Sequence, residues 1–304
     1  MPKASKKNAP EIVLVFNPHA GSAHRDELQR LLAKYFDGRQ VELCETKESG
    51  GLRDNLQPWI DKGVHLVIAA GGDGTVSEVA SALVNTDVPL GILPLGTGNA
   101  LARELGLPIK TEEAAAILSA RYGVRRLDVM QVAGKIFTLA VSVGLSAKTM
   151  RRTRDKNKRR FGRIAYIWPF FLSLFGLTQY DFELEIDGRK RVVSANEVIV
   201  VNAGIIGYKA LRWGPDVQPD DGHLNICFVR AKTLLDYLDV FWRLFSKQNR
   251  RDTRLNCVEV YQSVRINTPG GLAIQGDGDL IGETPVEITL HPAALKVAVP
   301  LKNS

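Results

Sequence analysis

Three times in the first 130 residues an uncharged apolar run stops at a glycine-rich turn and gives way to helical spacing. This repeat constrains the fold more than any other feature. The first copy is IVLVF (12–16), a turn through Asn17-Pro18-His19-Ala20-Gly21-Ser22, then a helix with Leu28, Leu31, Leu32 and Tyr35 on one face. The second is HLVIAA (65–70), then Gly71-Gly72-Asp73-Gly74-Thr75, then Val76, Val79, Ala80, Leu83 and Val84 at helical spacing. The third is LGILP (90–94), then Leu95-Gly96-Thr97-Gly98-Asn99, then a helix from about Ala100 closed by Gly106 and Pro108. Strands alternating with helices predict a parallel sheet covered on both faces. The three turns then share the carboxyl edge of that sheet, where open α/β folds bind nucleotides. Glycine lets the backbone approach a ligand, and the N–H groups at a helix start favour anions.

After Met130 the texture changes to short β-branched runs punctuated by turn dipeptides. DFELEI precedes Asp187-Gly188, LNICFVRA follows Asp221-Gly222, and LAIQ runs toward Asp277-Gly278. The expectation is α/β plus β: a parallel-sheet nucleotide-binding domain over 1–132, then a mostly antiparallel β-sandwich over 133–304. Helical inserts are expected near 147–178 and 232–248, and the final run LKVAVPL, counted here with the second domain, is left open between the two. The 304 residues, 45% of them apolar, suffice for two such cores.

Several classes are excluded. There is no G-x-x-x-x-G-K-[ST], and the protein-kinase set of H-R-D and D-F-G is not there, since no D-F-G occurs, so neither a P-loop nor a protein-kinase mechanism applies. Asp73, amid the second glycine turn, would repel a phosphate unless a cation such as Mg²⁺ stood between them; the other reading is a cap on the helix that follows. Cys44, Cys227 and Cys257 are far apart with no C-x-x-C, which predicts neither a disulfide framework nor a zinc ribbon and points to a reducing cytoplasm. The start, MPKASKKNAP, is basic without an apolar signal core. The longest uncharged stretch, 164–180, has 17 residues including Pro169 and Gly176, short of the ~20 apolar residues of a spanning helix.

Phe16-Asn17-Pro18, Gly71-Gly72-Asp73-Gly74-Thr75, Leu93-Pro94-Leu95-Gly96-Thr97-Gly98-Asn99 and Asp277-Gly278-Asp279 together resemble the diacylglycerol-kinase catalytic family. That family includes sphingosine and ceramide kinases and bacterial lipid kinases, and the resemblance spans about 11–298. It implies an ATP-dependent kinase acting on a lipid hydroxyl, with the active site in a cleft between a nucleotide domain and a β-rich lipid domain. The family's ATP contacts fall on Asn17, Pro18, His19, Ala20 and Gly21, on Thr46 and on Thr97. They also fall on the run Gly72, Asp73, Gly74, Thr75, Val76, Ser77 and Glu78. Its general base falls on Asp277. A structural Mg²⁺ is implied at Gln218, Asp221 and His223, the first and last through backbone carbonyls because hard Mg²⁺ prefers oxygen.

Two departures stand out. Asp279 replaces the family's glutamate, shortening by one methylene a side chain expected to reach nucleotide or Mg²⁺. Asn202-Ala203-Gly204-Ile205-Ile206-Gly207-Tyr208 lacks the usual glycine run. Read from the residues alone, Asp221-Gly222 and Asp277-Gly278 are equally hairpin turns.

Residues 148–163 carry nine Lys or Arg and one Asp, followed by Tyr166, Trp168, Phe170, Phe171, Phe175 and Tyr180. Cationic and aromatic segments side by side suit an anionic bilayer surface, so 148–180 is expected to make a peripheral membrane contact. Nucleic acid is not the expected partner, since no recognition motif accompanies the basic run. Relatives that dimerise make a homodimer a further expectation. The rival readings are an NAD kinase, which shares Gly-Gly-Asp-Gly-Thr and an Asn-Glu pair like Asn196-Glu197, and a non-catalytic lipid or phosphate sensor.

Overall fold

The computed structural model describes residues 10–17, 22–46, 51–144, 178–206, 208–213, 217–246 and 254–301. The first part of the chain forms β1 (Ile12–Phe16), α1 (Ser22–Tyr35), β2 (Val41–Glu45), α2 (Leu52–Asp61) and β3 (Leu66–Gly71). It continues with α3 (Asp73–Leu83), β4 (Leu90–Pro94), α4 (Ala100–Glu104) and α5 (Thr111–Ser119). The strands lie in the order β2-β1-β3-β4, all parallel. Every residue of β1, β3 and β4 is buried, as two covered faces require. Leu14, Ile68 and Leu93 form a core with Leu28, Leu31 and Leu118 from the helices. The three-copy reading passed over β2, an edge strand in which only Cys44 is buried, and α2, which buries just Leu52 and Leu56 and contains Pro58.

The second half begins with β5 (Gly123–Val132), β6 (Lys135–Phe137), β7 (Ala140–Gly144), β8 (Tyr180–Ile186) and β9 (Arg189–Ala195). Then come β10 (Glu197–Val201), β11 (Ile205–Ile206), β12 (Tyr208–Arg212), β13 (Leu224–Val229) and α6 (Leu234–Ser246). The chain ends with β14 (Leu255–Val260), β15 (Ser263–Asn267), β16 (Ala273–Gly276), β17 (Asp279–Glu283) and β18 (Val286–Val299). One antiparallel sheet runs β14-β13-β10-β7-β16-β17, and the start of β18 joins β15, β8 and β9 in another. Alternate residues supply the sandwich core, with Val198, Val200, Ile226 and Phe228 from one sheet meeting Phe182, Leu184, Ile266 and Ile288 from the other. The remaining alternates, Ile199, Val201, Cys227 and Val229, face the other way and pack under Tyr237, Val240 and Leu244 of α6.

Two compact units result, Met1–Leu127 with Ala294–Ser304, and Asp128–Ala293. VEITL and LKVAVPL, read from sequence as separate runs, are one strand, β18, interrupted at Ala293, whose φ is 52°. Its last residues return to the first unit, where Val297 pairs with Leu90 of β4 in parallel.

The cysteine expectation is corrected. Cys227 and Cys257 form a disulfide, and Cys44 lies buried outside it. They are 30 residues apart in sequence but directly opposed in the antiparallel β13–β14 pair, with Cα atoms 4.0 Å apart. Strand register, which sequence spacing does not reveal, brings them together, and the cysteine argument for a reducing compartment falls. Among the described residues no helix is long and apolar enough to cross a membrane. The 147–178 insert, except residue 178, and the 148–180 patch, except residues 178–180, lie outside the described residues.

Candidate active site

In the first unit a cavity of about 740 Å³ opens where β1, β3 and β4 end. Phe16 and Asn17 line it after β1, Ala70, Gly71 and Gly72 after β3, and Leu95, Gly96 and Thr97 after β4. Gly74, Thr75 and Glu78 reach it from α3, and Arg25 and Leu28 from α1. The second and third turns touch backbone to backbone: Leu95 N–H donates to Gly71 O at 3.1 Å, and a Cβ on Gly96 would overlap the Gly72 Cα. No side chain fits at Gly96 without driving the turns apart, and a Cβ on Gly72 would already be tight, 3.3 Å from the Gly96 Cα.

Asn99 closes the third turn from within. It sits in the left-handed region at φ 49°, accepts from Gly96 N–H at 3.1 Å and donates to Gly96 O at 2.8 Å. Asp73 ties the two turns together, because its Oδ1 accepts from Ala100 N–H at 2.6 Å and its Oδ2 fills the space a Gly98 side chain would need. Asp73 is thus a cap, but on α4, 27 residues ahead, rather than on its own helix.

The first turn of α3 faces the cavity through Gly74 and Thr75, with N–H groups that have no acceptor inside the helix and the positive end of its dipole. Arg25 adds a guanidinium, stacked 5.9 Å from the Phe16 ring centroid and 3.4 Å from Glu45. That ion pair is more than half exposed, worth at most about 1 kcal/mol, and leaves Arg25 adaptable. Glu78 is half-buried, and burial pushes its carboxyl above the usual range. A wall of backbone N–H groups with one guanidinium, large enough for a nucleotide, fits ATP phosphates.

In the second unit Asp277 and Gly278 form the β16–β17 turn with φ of 46° and 96°, the two left-handed residues of a tight hairpin. The Asp277 carboxylate turns back onto residues 138–140. Oδ2 accepts from Thr138 N–H at 2.8 Å and Thr138 Oγ1 at 3.3 Å, and Oδ1 from Leu139 N–H at 3.1 Å and Ala140 N–H at 2.9 Å. The carbonyls of this segment are taken as well. Thr138 O accepts from the Asn202 side chain, Leu139 O from the N–H groups of Asn202 and Ala203, and Ala140 O from Asp277 N–H. The residue keeps some exposed surface, but its carboxyl is enclosed. Burial raises its proton affinity, the four donors lower it, and the net direction is upward.

Asp221 closes its own loop: its carboxylate accepts from Gln218 N–H at 3.1 Å and His223 N–H at 3.3 Å, with His223 Nδ1 also 3.3 Å away. Buried Asp128 holds this loop from below, accepting Gly222 N–H at 2.7 Å and donating its own N–H to Pro219 O at 2.7 Å. No group of three or more His, Cys, Asp or Glu able to hold a metal occurs among the described residues. The Asp221 carboxylate retains a lone pair on Oδ2, which accepts a single N–H, while its Oδ1 faces both the N–H and the ring Nδ1 of His223. With backbone carbonyls and water it remains a chemically acceptable Mg²⁺ donor set.

Of the nucleotide residues expected from sequence, Asn17, Gly72, Gly74, Thr75, Glu78 and Thr97 line the cavity. Asp73 supports it. Thr46 donates its N–H to Phe16 O, Val76 is buried in the core, and Ser77 accepts from Ser81 Oγ. Pro18, His19, Ala20 and Gly21 lie outside the described residues. Asp279 is exposed at the start of β17, opposite Gly276. Arg25 and Leu28 were missed: Leu28 read as core spacing, and Arg25 lies on α1 beyond any motif.

Residues 11–132 match the family model described as the diacylglycerol kinase catalytic domain, and 139–299 match the YegS C-terminal NAD kinase beta sandwich-like domain. A Staphylococcus aureus protein (strain MSSA476) named "Putative lipid kinase" is 26% identical over 247 residues, covering 78% of this chain and 77% of its own. An uncharacterized Synechocystis protein is 29% identical over 96% of this chain and 70% of its own length. A crystal structure from Bacillus anthracis strain Sterne, described as "a putative diacylglycerol kinase", superposes with a TM-score of 0.77 at 26% identity, covering 95% of this chain and 97% of that one.

Proposed function

We propose, from the premise that the chain belongs to the diacylglycerol kinase catalytic-domain family and is a lipid kinase, that it transfers the γ-phosphoryl group of ATP to the hydroxyl of a diacylglycerol-like or sphingoid-like lipid. The observation that carries the ATP assignment is the cavity built from interlocked glycine turns, whose wall offers backbone N–H groups, the α3 dipole and Arg25 rather than a P-loop lysine. The N–H groups of Gly74 and Thr75, which have no acceptor inside α3, hold the phosphates, while Phe16 and Leu28 give the adenine an apolar surface. Glu78 and Asn17 supply polar contacts at the rim.

Asp277 is the proposed base. The lipid oxygen bonds to the γ-phosphorus as the bond from that phosphorus to the β,γ-bridging oxygen breaks, ADP leaves with the electron pair, and the hydroxyl proton passes to the Asp277 carboxylate. A carboxylate offers about four lone-pair sites, and all four are occupied. The Thr138 hydroxyl makes the longest of these contacts and is the one able to rotate away, so the substrate hydroxyl takes its place. The three backbone donors then keep the carboxylate aimed. Mg²⁺ bound with ATP would neutralise phosphate charge, and a second ion would be held by Asp221 with the carbonyls of Gln218 and His223.

The test is transfer of labelled phosphate from ATP, with a mixed lipid extract in vesicles in one arm and NAD in the other. Label is expected in the lipid phase; label on NAD alone would replace this reading with NAD kinase, and label on neither would favour a sensor.

A further inference from the structure

Helix α6 is apolar on two opposite faces, and one of them is covered by the sheet beneath it. Tyr237, Val240 and Leu244, spaced i, i+3, i+7, are buried against the outer face of the β13-β10 sheet. Leu235, Leu238 and Trp242 repeat the same spacing on the opposite side and are 74%, 53% and 64% exposed. Isolated exposed leucines are ordinary, but three large apolar side chains in register along two helical turns form a stripe.

The ion pairs of the helix and the charges along this stretch of sequence bear on what the stripe meets. The helix's acids, Asp236 and Asp239, are both paired with Arg254, at 2.8 and 2.9 Å. Asp236 also closes the N-terminus, accepting Lys232 and Thr233 N–H at 2.9 Å while Thr233 Oγ1 accepts Asp236 N–H at 3.3 Å. Neither carboxylate is left to repel an anionic surface. In the sequence Lys232 and Arg243 flank the three positions, and Lys247, Arg250 and Arg251 follow before the next acid, Asp252. The stripe exposes on the order of 400 Å² of apolar side chain, about half the ~800 Å² per partner of a stable protein interface. Apolar side chains with an interfacial tryptophan, in a stretch of sequence rich in cations, instead match the boundary between anionic headgroups and acyl chains.

We infer that the Leu235–Leu238–Trp242 face of α6 is a membrane-docking surface that inserts shallowly into an anionic bilayer. This is a different element from the 148–180 segment. It rests on the lipid-kinase reading only for its purpose, because docking needs neither ATP nor turnover.

The test is co-sedimentation of the full chain, without ATP, with phosphatidylcholine vesicles and with mixed phosphatidylcholine–phosphatidylglycerol vesicles. Wild type should prefer the mixed vesicles, and Leu235→Ser/Leu238→Ser/Trp242→Ser should lose about tenfold or more of that partitioning. Bromine-labelled acyl chains should quench tryptophan emission in wild type and do so less in Trp242→Phe, a variant that retains binding. The quenching measurement stands on its own should the triple variant fail to fold. Unchanged partitioning of a folded triple variant, equal binding to neutral vesicles, or quenching unaffected by Trp242→Phe would overturn the assignment. So would a wild-type dimer that the triple variant converts to monomer without loss of vesicle binding. Failure of the phosphate-transfer test with docking intact would remove the acceptor, not the surface.

Discussion

Asp187 makes Asp277 interpretable. Both open an Asp-Gly hairpin turn in the left-handed region, and both turn their carboxylates onto three consecutive backbone N–H groups, of residues 261–263 and 138–140 respectively. The hydrogen-bonding device is structural and is no signature of catalysis. What separates them is solvation. At Asp187 burial pushes the carboxyl up, but the N–H groups of Tyr261, Gln262 and Ser263 outweigh it and hold it below the usual range; at Asp277 burial wins. A raised proton affinity is what a base needs, so Asp277→Asn is expected to cost about 10²–10⁴ in kcat with ATP affinity retained. Asp187→Asn should leave kcat unchanged and cost about 1 kcal/mol of stability. The signs on acidification differ. Asp187, depressed when folded, contributes stability above the unfolded value of about 3.9 that is lost as pH falls through its lower folded value. Asp277, raised when folded, binds its proton more tightly than the unfolded chain does, so its linkage lowers stability as pH rises from about 3.9 through its folded value. Melting curves from pH 3 to 6, together with turnover, check this: Asp187→Asn should lose less on acidification than wild type. Equal turnover in wild type and Asp277→Asn would remove the base assignment.

At the scale of elements, the glycine turns were legible as turns, but their mutual contact was not. The spacing around 71–75 and 95–99 showed two strand-to-helix turns; that Gly96 lies on Gly72, and that Asp73 reaches 27 residues forward to Ala100, depends on strand order in the sheet. Arg25 escaped for the same reason, since β1 and α1 must fold before it meets the cavity. The Cys227–Cys257 pair escaped because register, and not spacing, opposes the two thiols. The turn contacts yield a contrast between two glycines. A Cβ at Gly96 meets backbone that cannot yield, so Gly96→Ala should destabilise by about 1–3 kcal/mol or more and weaken nucleotide binding with it. A methyl group added at Gly74 meets nothing within 4 Å, and the residue lies in the first turn of α3, so Gly74→Ala should fold with stability equal to wild type or up to about 1 kcal/mol higher. Because Gly74 lines the cavity, the variant's KM for ATP should nonetheless rise. Denaturant melts and ATP titrations of the two variants separate packing from ligand contact; a normal KM in Gly74→Ala would move the phosphates away from α3.

At the scale of the whole molecule, charge is distributed unevenly along the chain. The net charge is +7, yet residues 148–163 alone carry +8, so the remaining chain is close to neutral at −1. On the membrane proposal, long-range attraction to an anionic surface would be strongest at that one stretch of sequence, the cations at 232, 243, 247, 250 and 251 would add to it locally, and the exposed face of α6 would supply the apolar contact. The two depend differently on salt, since exposed charges are screened beyond a Debye length of ~8–10 Å at physiological ionic strength and apolar burial is not. Each basic residue near headgroups contributes about 1 kcal/mol at most. Exchanging Arg151, Arg152, Arg159 and Arg160 for Gln should then weaken sedimentation with anionic vesicles by up to about 10³ at low salt, with progressively less effect as salt rises. The α6 serine variant should keep its deficit at both extremes. If the arginine variant binds as wild type at low salt, 148–163 plays no part in membrane attachment and α6 carries it alone; if both variants lose binding in parallel at every salt concentration, the division of labour between charge and apolar contact is wrong.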